Sequence, residues 1–304
     1  MHNFFYNSEC SPKCDNIHEA TRLFSNTLTE FKKLFDDQCL NCQMGLITQD
    51  FASNIKLSES LNLFNVVENL ADQPLKRFAF SQLKKYPFEN YIDIEKDESL
   101  LDCDYKISIG DCKYSALYLS FFAKKNGFLF STALHDDLKQ NTLPIVSTNG
   151  AADMVIDNLY GETANTAYIK SLMEALNFEQ LSLYDRLKVI LGKYIFSTAF
   201  ERDYQNLTNA EQQAIVELFE RAKHRNLITP FYPDTHIIKD VSPEKNRCNV
   251  YELRVYTPTA LRVYFNESHG KIYVANIEKK SNPNQTKDIQ KAHNVLNRLI
   301  LTNK

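Results

Sequence analysis

Between Asn249 and Lys280 the chain alternates apolar with polar residues in three runs, broken by Thr257-Pro258 and by Ser268-His269-Gly270. Alternation of this kind with turn residues between the runs predicts three antiparallel strands of one small sheet. Successive strand side chains point to opposite faces, so Leu261, Val263 and Phe265 share one side, while Arg262 and Tyr264 share the other. On the first run Glu252, Arg254 and Tyr256 lie together on the polar side in the same way. One face is expected to be core. The other carries arginines and tyrosines, a composition suited to phosphates and bases.

Further upstream the period changes from two to that of a helix. His18 to Asp37 places Leu23, Phe24, Leu28, Phe31, Leu34 and Phe35 at helical spacing, and Leu57 to Lys85 does so again, with Asp72-Gln73-Pro74 dividing it into two helices. Tyr91–Ile94 and Tyr105–Ile109 read as short strands, followed by a helix from Lys113 to Asn126, a stop at Gly127 and the apolar run Phe128–Leu134. Strand, helix and strand in so short a stretch predict a parallel crossover unit. Pro144 to Gly150 reads as a loop; Asp153 to Gly161, Ala164 to Leu176 and Leu181 to Leu191 read as helical. The expected fold is therefore two domains: residues 1–191, α/β with a helix-rich start and a short parallel sheet, and residues 192–304, α+β.

Composition narrows the classes. The 304 residues are 43% hydrophobic, as in globular proteins, and contain neither a run long enough to span a membrane nor a basic-then-apolar leader. A cytoplasmic protein with reduced cysteines and no membrane partner is expected. The formal charge of −3 divides unevenly: residues 192–304 hold 17 Lys/Arg against 12 Asp/Glu, a formal +5, and residues 1–191 hold 18 against 26, a formal −8. That division suits a nucleic-acid-directed segment joined to one that is not.

Two sets of residues could hold metal. Cys10 with Cys14, and Cys39 with Cys42, are close pairs that could take a structural zinc, although few of the usual glycine turns follow them and ordinary thiols are preferred. Asp111 and Asp136 sit after predicted strands, where ligands of open α/β sheets collect, and could hold Mg²⁺ for phosphodiester hydrolysis, faintly similar to PIN-like nucleases. Each is also an ordinary cap or loop residue. Neither set is preferred as a metal site, and no cofactor is expected.

Tyr251-Glu-Leu-Arg254, Leu261-Arg-Val-Tyr-Phe265, a strand ending Glu278-Lys-Lys280 and a helix opening at Thr286-Lys-Asp-Ile-Gln-Lys-Ala292 together resemble the RelE/HigB/ParE superfamily of toxins, closest to its phage-derived HigB-like branch. Tyr194 to Leu207 and the helical stretch Thr208 to Arg225 fit the opening strand and helices of that family. The resemblance covers residues 192–304 and implies a toxin of a toxin–antitoxin or phage-defence system, a metal-free endoribonuclease cutting mRNA on the ribosome. It implies that Arg262 contacts the scissile phosphate, that Arg254 faces the RNA, and that Lys279 or Lys280 is the acid or charge stabiliser; Tyr256 and Tyr264, on the same polar face, are the expected further RNA contacts. Where some members carry a catalytic tyrosine early in the last helix this chain has Ile289, which leaves His293 to substitute. A helix-turn-helix antitoxin is the implied partner. Two alternatives stay open: a ParE-like toxin acting on DNA gyrase, and an inactive binding module with residues 1–191 as sensor or mask.

Overall fold

The computed structural model describes residues 2–38, 40, 44–92, 94–224, 236–243, 248–280 and 285–303. It is a mixed α/β protein with two sheets, and the chain gathers into two compact units, Met1–Asn177 and Phe178–Lys304. No helix among the described residues is long and apolar enough to cross a membrane.

The first unit is built on a seven-stranded sheet of β1 (His2–Tyr6), β2 (Met44–Ile47), β3 (Tyr105–Ile109), β4 (Cys112–Ser115), β5 (Phe128–Phe130), β6 (Thr142–Ser147) and β7 (Met154–Leu159), in the order β2-β1-β5-β7-β6-β3-β4. The β2, β1, β5 and β7 strands are parallel, and β6, β3 and β4 add antiparallel to them. Helix α1 (Ile17–Asp36) starts where the Asn16 side chain accepts the His18 and Glu19 amides, and it turns Phe24, Leu28 and Phe31 onto Phe4, Tyr6 and Phe130. Helices α2 (Leu63–Glu68) and α3 (Gln73–Gln82) complete that layer, α3 capped by Asp72 with Pro74 in its first turn. On the opposite face α4 (Leu117–Lys124) buries Phe121 and Phe122 against Phe5 and Leu129. Strands apolar on both sides, such as His2-Asn-Phe-Phe-Tyr6 and Phe128-Leu-Phe130, are what a parallel sheet covered twice requires. Helix α5 (Thr163–Gln180) ends the unit.

Several expectations for this unit are corrected. Strands β1 and β2 were not anticipated, because an unbroken apolar run carries no period. Residues 88–91 form a 3-10 turn rather than lead into a strand. The expected loop at Pro144 and helix at Asp153 are strands β6 and β7, paired Leu143 to Ile156 and Ile145 to Met154. Asn158 is a buried strand residue whose amide donates to the Leu138 and Gln140 carbonyls at 2.8 and 3.1 Å. The residues after Ile109 turn back as a hairpin, so α4 begins only at Leu117, and β6 and β7 lie between the two strands expected to be neighbours.

The second unit has α6 (Leu183–Leu191), β8 (Tyr194–Phe196), α7 (Thr198–Gln205), α8 (Asn209–His224), β9 (Ile238–Asp240), β10 (Tyr251–Val255), β11 (Leu261–Ser268), β12 (Lys271–Lys279) and α9 (Gln285–Thr302). The sheet order is β8-β12-β11-β10-β9, antiparallel except where β8 runs parallel to β12. The three strands expected from alternation are its centre. Helices α6, α7 and α8 cover the face of Leu253, Val263 and Phe265, and α9 covers the start of the other face through Ala292 and Leu296 against Tyr264, Tyr273 and Ala275.

Candidate nucleic-acid interface

The register of β10, β11 and β12 sorts the polar face into rows. Glu252 is opposite Tyr264, which is opposite Asn276; one step along, Arg254 is opposite Arg262, which is opposite Glu278. Just past the strand ends the Lys280 amide bonds the Ala260 carbonyl, and the Lys280 ammonium stands 5.7 Å from the centre of the Tyr256 ring. Side chains two apart on a strand share a face, so these rows are stacked by the pleat itself.

At the open end of the rows Glu252, Arg254, Tyr256, Arg262 and Lys280 line one pocket of about 110 Å³. Two of the three cations, Arg254 and Arg262, converge on one carboxylate. Arg254 Nε donates to Glu252 Oε1 at 2.8 Å, Arg262 Nε approaches the same oxygen at 3.7 Å, and Gln285 at the start of α9 donates to Oε2 at 2.9 Å. Burial works to lower the affinity of Arg254 for its proton, but the bond and charge of Glu252 together with Tyr256 outweigh it, and the guanidinium ends above its ordinary value. An arginine pair held in place beside a lysine is an anion site, and its planar donors match phosphate oxygens.

Comparison with protein-family models, with curated proteins and with solved structures gives no match. The site is therefore read from its own geometry.

Beneath α9 the same rows continue as a buried polar layer. Glu278 accepts from Asn276 at 2.8 Å and from Lys291 at 2.9 Å. Burial, followed by the neighbouring Glu278, raises the Asp288 carboxyl above the usual range against the pull of Lys291 and Arg262. Burial, then Glu252, likewise raises the Tyr264 hydroxyl. Among the described residues, three buried atoms here have no hydrogen-bond partner: Arg262 Nη1, the Tyr264 hydroxyl and Asn276 Oδ1. Unmet groups of this kind are costly to bury.

Measured against expectation, the structure unites Arg254, Arg262, Lys280 and Tyr256, and separates the rest. Tyr264 was expected to meet RNA, but its side chain is 0% exposed under α9. His293, expected to take the missing tyrosine's place, is 5% exposed and faces Asn297, with ring nitrogens 3.1 and 3.4 Å from its amide. Lys279 alternates to the far side of its strand and lines a separate cleft of about 490 Å³ with Arg202, Asp203, Glu211 and Lys291. Glu252 and Gln285 were not singled out as site residues. The signal for Glu252 was present, since Glu-x-Arg on a strand places acid and base on one face.

The metal candidates of the first unit come apart. Asp111 is exposed at the β3–β4 hairpin, and Asp136 is 90% exposed and paired to Lys139 at 2.7 Å; it is Asp137 that reaches the turn, accepting the Gly110 amide at 2.7 Å. Cys10 and Cys14 pack into different apolar clusters, and burial, aided by Glu9, pushes the Cys10 thiol up to about 12. Cys39 and Cys42 lie outside the described residues. Among those described, no group of three or more His, Cys, Asp or Glu is placed to hold a metal ion.

Proposed function

We propose that residues 178–304 bind the phosphodiester backbone of RNA in the Arg254–Arg262–Lys280 pocket and cleave it, as a toxin of a toxin–antitoxin or phage-defence system. The observation that carries this reading is the convergence of those three cations and Tyr256 on one pocket at the end of paired strands. In the proposed reaction the 2′-hydroxyl loses its proton to water as its oxygen attacks the adjacent phosphorus, the bond from phosphorus to the 5′-oxygen breaks, and the products are a 2′,3′-cyclic phosphate and a 5′-hydroxyl. The arginines hold the non-bridging oxygens as charge grows on them, and Lys280 donates the proton taken by the leaving 5′-oxygen. Tyr256, half exposed at the rim, offers a ring on which a base stacks. The finer fold expectation belongs to the same proposal: an α/β first part and a RelE-like second part, working in the cytoplasm on mRNA at the ribosome and countered by a helix-turn-helix antitoxin.

A second reading has its own support. His293 is buried away from the pocket, which leaves Lys280 to carry proton transfer, and a pocket that only grips an anion needs no proton transfer at all. RNA 5′-end mapping and growth after induction of the wild-type chain, Arg262→Ala and Lys280→Ala separate the two. Growth arrest with new mRNA ends, both lost in either variant, is the expected result. Neither arrest nor new ends would move the assignment to the binding module, and arrest without new ends would move it to a gyrase-type target.

A further inference from the structure

The geometry points to Glu252 as the positioning residue of the pocket: a buried carboxylate that fixes Arg254 and Arg262 from one oxygen so that together they take a single phosphate group. The inference rests on the RNA-binding reading above and adds the residue that builds the site.

Glu252 keeps 1% of its side-chain surface, on the middle of a strand with neighbours on both sides. A carboxylate so placed needs compensation for the water it has lost, and this one has it from three directions. Both arginines approach Oε1 through Nε, while Oε2 is held from α9 by Gln285. With its Nε turned toward Glu252, Arg262 keeps its Nη nitrogens for another acceptor. Arg262 keeps 12% of its side-chain surface, lines the pocket, and has in Nη1 a buried donor with no partner. The pocket's 110 Å³ lies well below the roughly 300–1,000 Å³ of sites that enclose a drug-sized ligand, so it suits one phosphate group with the rest of the chain outside.

Charge alone and positioning predict opposite signs. Removing a negative charge beside an anion site strengthens anion binding if Glu252 acts only through its field. If Glu252 holds the arginines in place, the same change weakens binding, because two flexible guanidiniums must then be ordered by the ligand. The full-length wild type, Glu252→Gln and Gln285→Ala are compared by the ¹⁵N Nε–Hε signals of their arginines and by anisotropy titration with a short RNA oligonucleotide.

The wild type is expected to show two shifted Nε–Hε signals that vanish in Arg254→Lys and Arg262→Lys controls. Glu252→Gln should collapse both and weaken RNA binding by about tenfold or more, the scale of one charge-assisted hydrogen bond, while Gln285→Ala moves both readouts the same way by less. Unchanged arginine signals, or RNA bound as tightly or more tightly by Glu252→Gln, would overturn the assignment. Should the wild type bind no RNA while the signals still collapse, the RNA reading falls and Glu252 keeps its place as the residue that orders the arginines. If Glu252→Gln does not fold, Gln285→Ala decides by the same two measurements.

Discussion

The two sheets treat their faces differently. In the seven-stranded sheet the strands β1 and β5 are apolar on both sides, with Phe4 and Phe130 packed toward α1 and Phe5 and Leu129 toward α4. The five-stranded sheet is apolar toward α6, α7 and α8, but its other face is shared between a small cluster under α9 and the rows of Glu252, Arg254, Arg262 and Glu278. A sheet covered twice by apolar side chains spends its whole surface on stability. A face that keeps arginines and acids together gives up part of that gain for a charged surface. The contrast separates scaffold from candidate site without reference to any relative.

The largest test of the contrast is in the scaffold. Phe130 is fully buried against Phe24, Phe31 and Tyr6, and Phe130→Ala should cost about 3–5 kcal/mol in denaturant unfolding, the usual range for a buried aromatic truncated in a core. A cost below about 1 kcal/mol would mean that this face is not the tightly packed layer described.

The second test concerns the scaffold's exception, Glu9, just after β1. Burial raises its carboxyl to about 8, and its Oε2 is a buried atom with no partner. A carboxyl raised in the folded state adds stability that is complete below its unfolded value, ordinarily near 4.5, and is lost as the pH climbs through about 8. Thermal melts of the wild type should therefore fall steadily from pH 4.5 to pH 8. Glu9→Gln, neutral throughout, should melt higher than the wild type at pH 8 and lose most of that slope; parallel melting curves for the two would contradict the burial.

The smallest test is on the polar face. Tyr264→Phe removes a buried hydroxyl that has no partner and leaves the ring in place, so stability should be unchanged or rise by up to about 1 kcal/mol. RNA affinity should not change, because α9 covers the ring. A clear loss of stability would show that the hydroxyl is bonded in solution. A loss of RNA affinity would restore Tyr264 to the interface.

Read alone, the sequence determined whatever local periodicity and turn chemistry encode. Helix α1 is spelled by apolar residues at helical spacing, α3 by Asp72 and Pro74, and β10 to β12 by alternation with turn residues between, because in each case the neighbours along the chain are also the neighbours in space. Strict alternation even placed Arg254, Arg262 and Tyr256 on one face. Tertiary structure alone decided the rest. It paired β6 with β7, recruited β1 and β2 to the parallel side of a sheet, and turned the chain at Asp111 instead of opening a helix there, since those outcomes depend on partners distant in sequence. It also laid α9 over Tyr264 and His293, separated Lys279 from Lys280, and gave both arginines one carboxylate. Which polar residues on a face remain open to a ligand is set by what packs above them, and no local pattern records that.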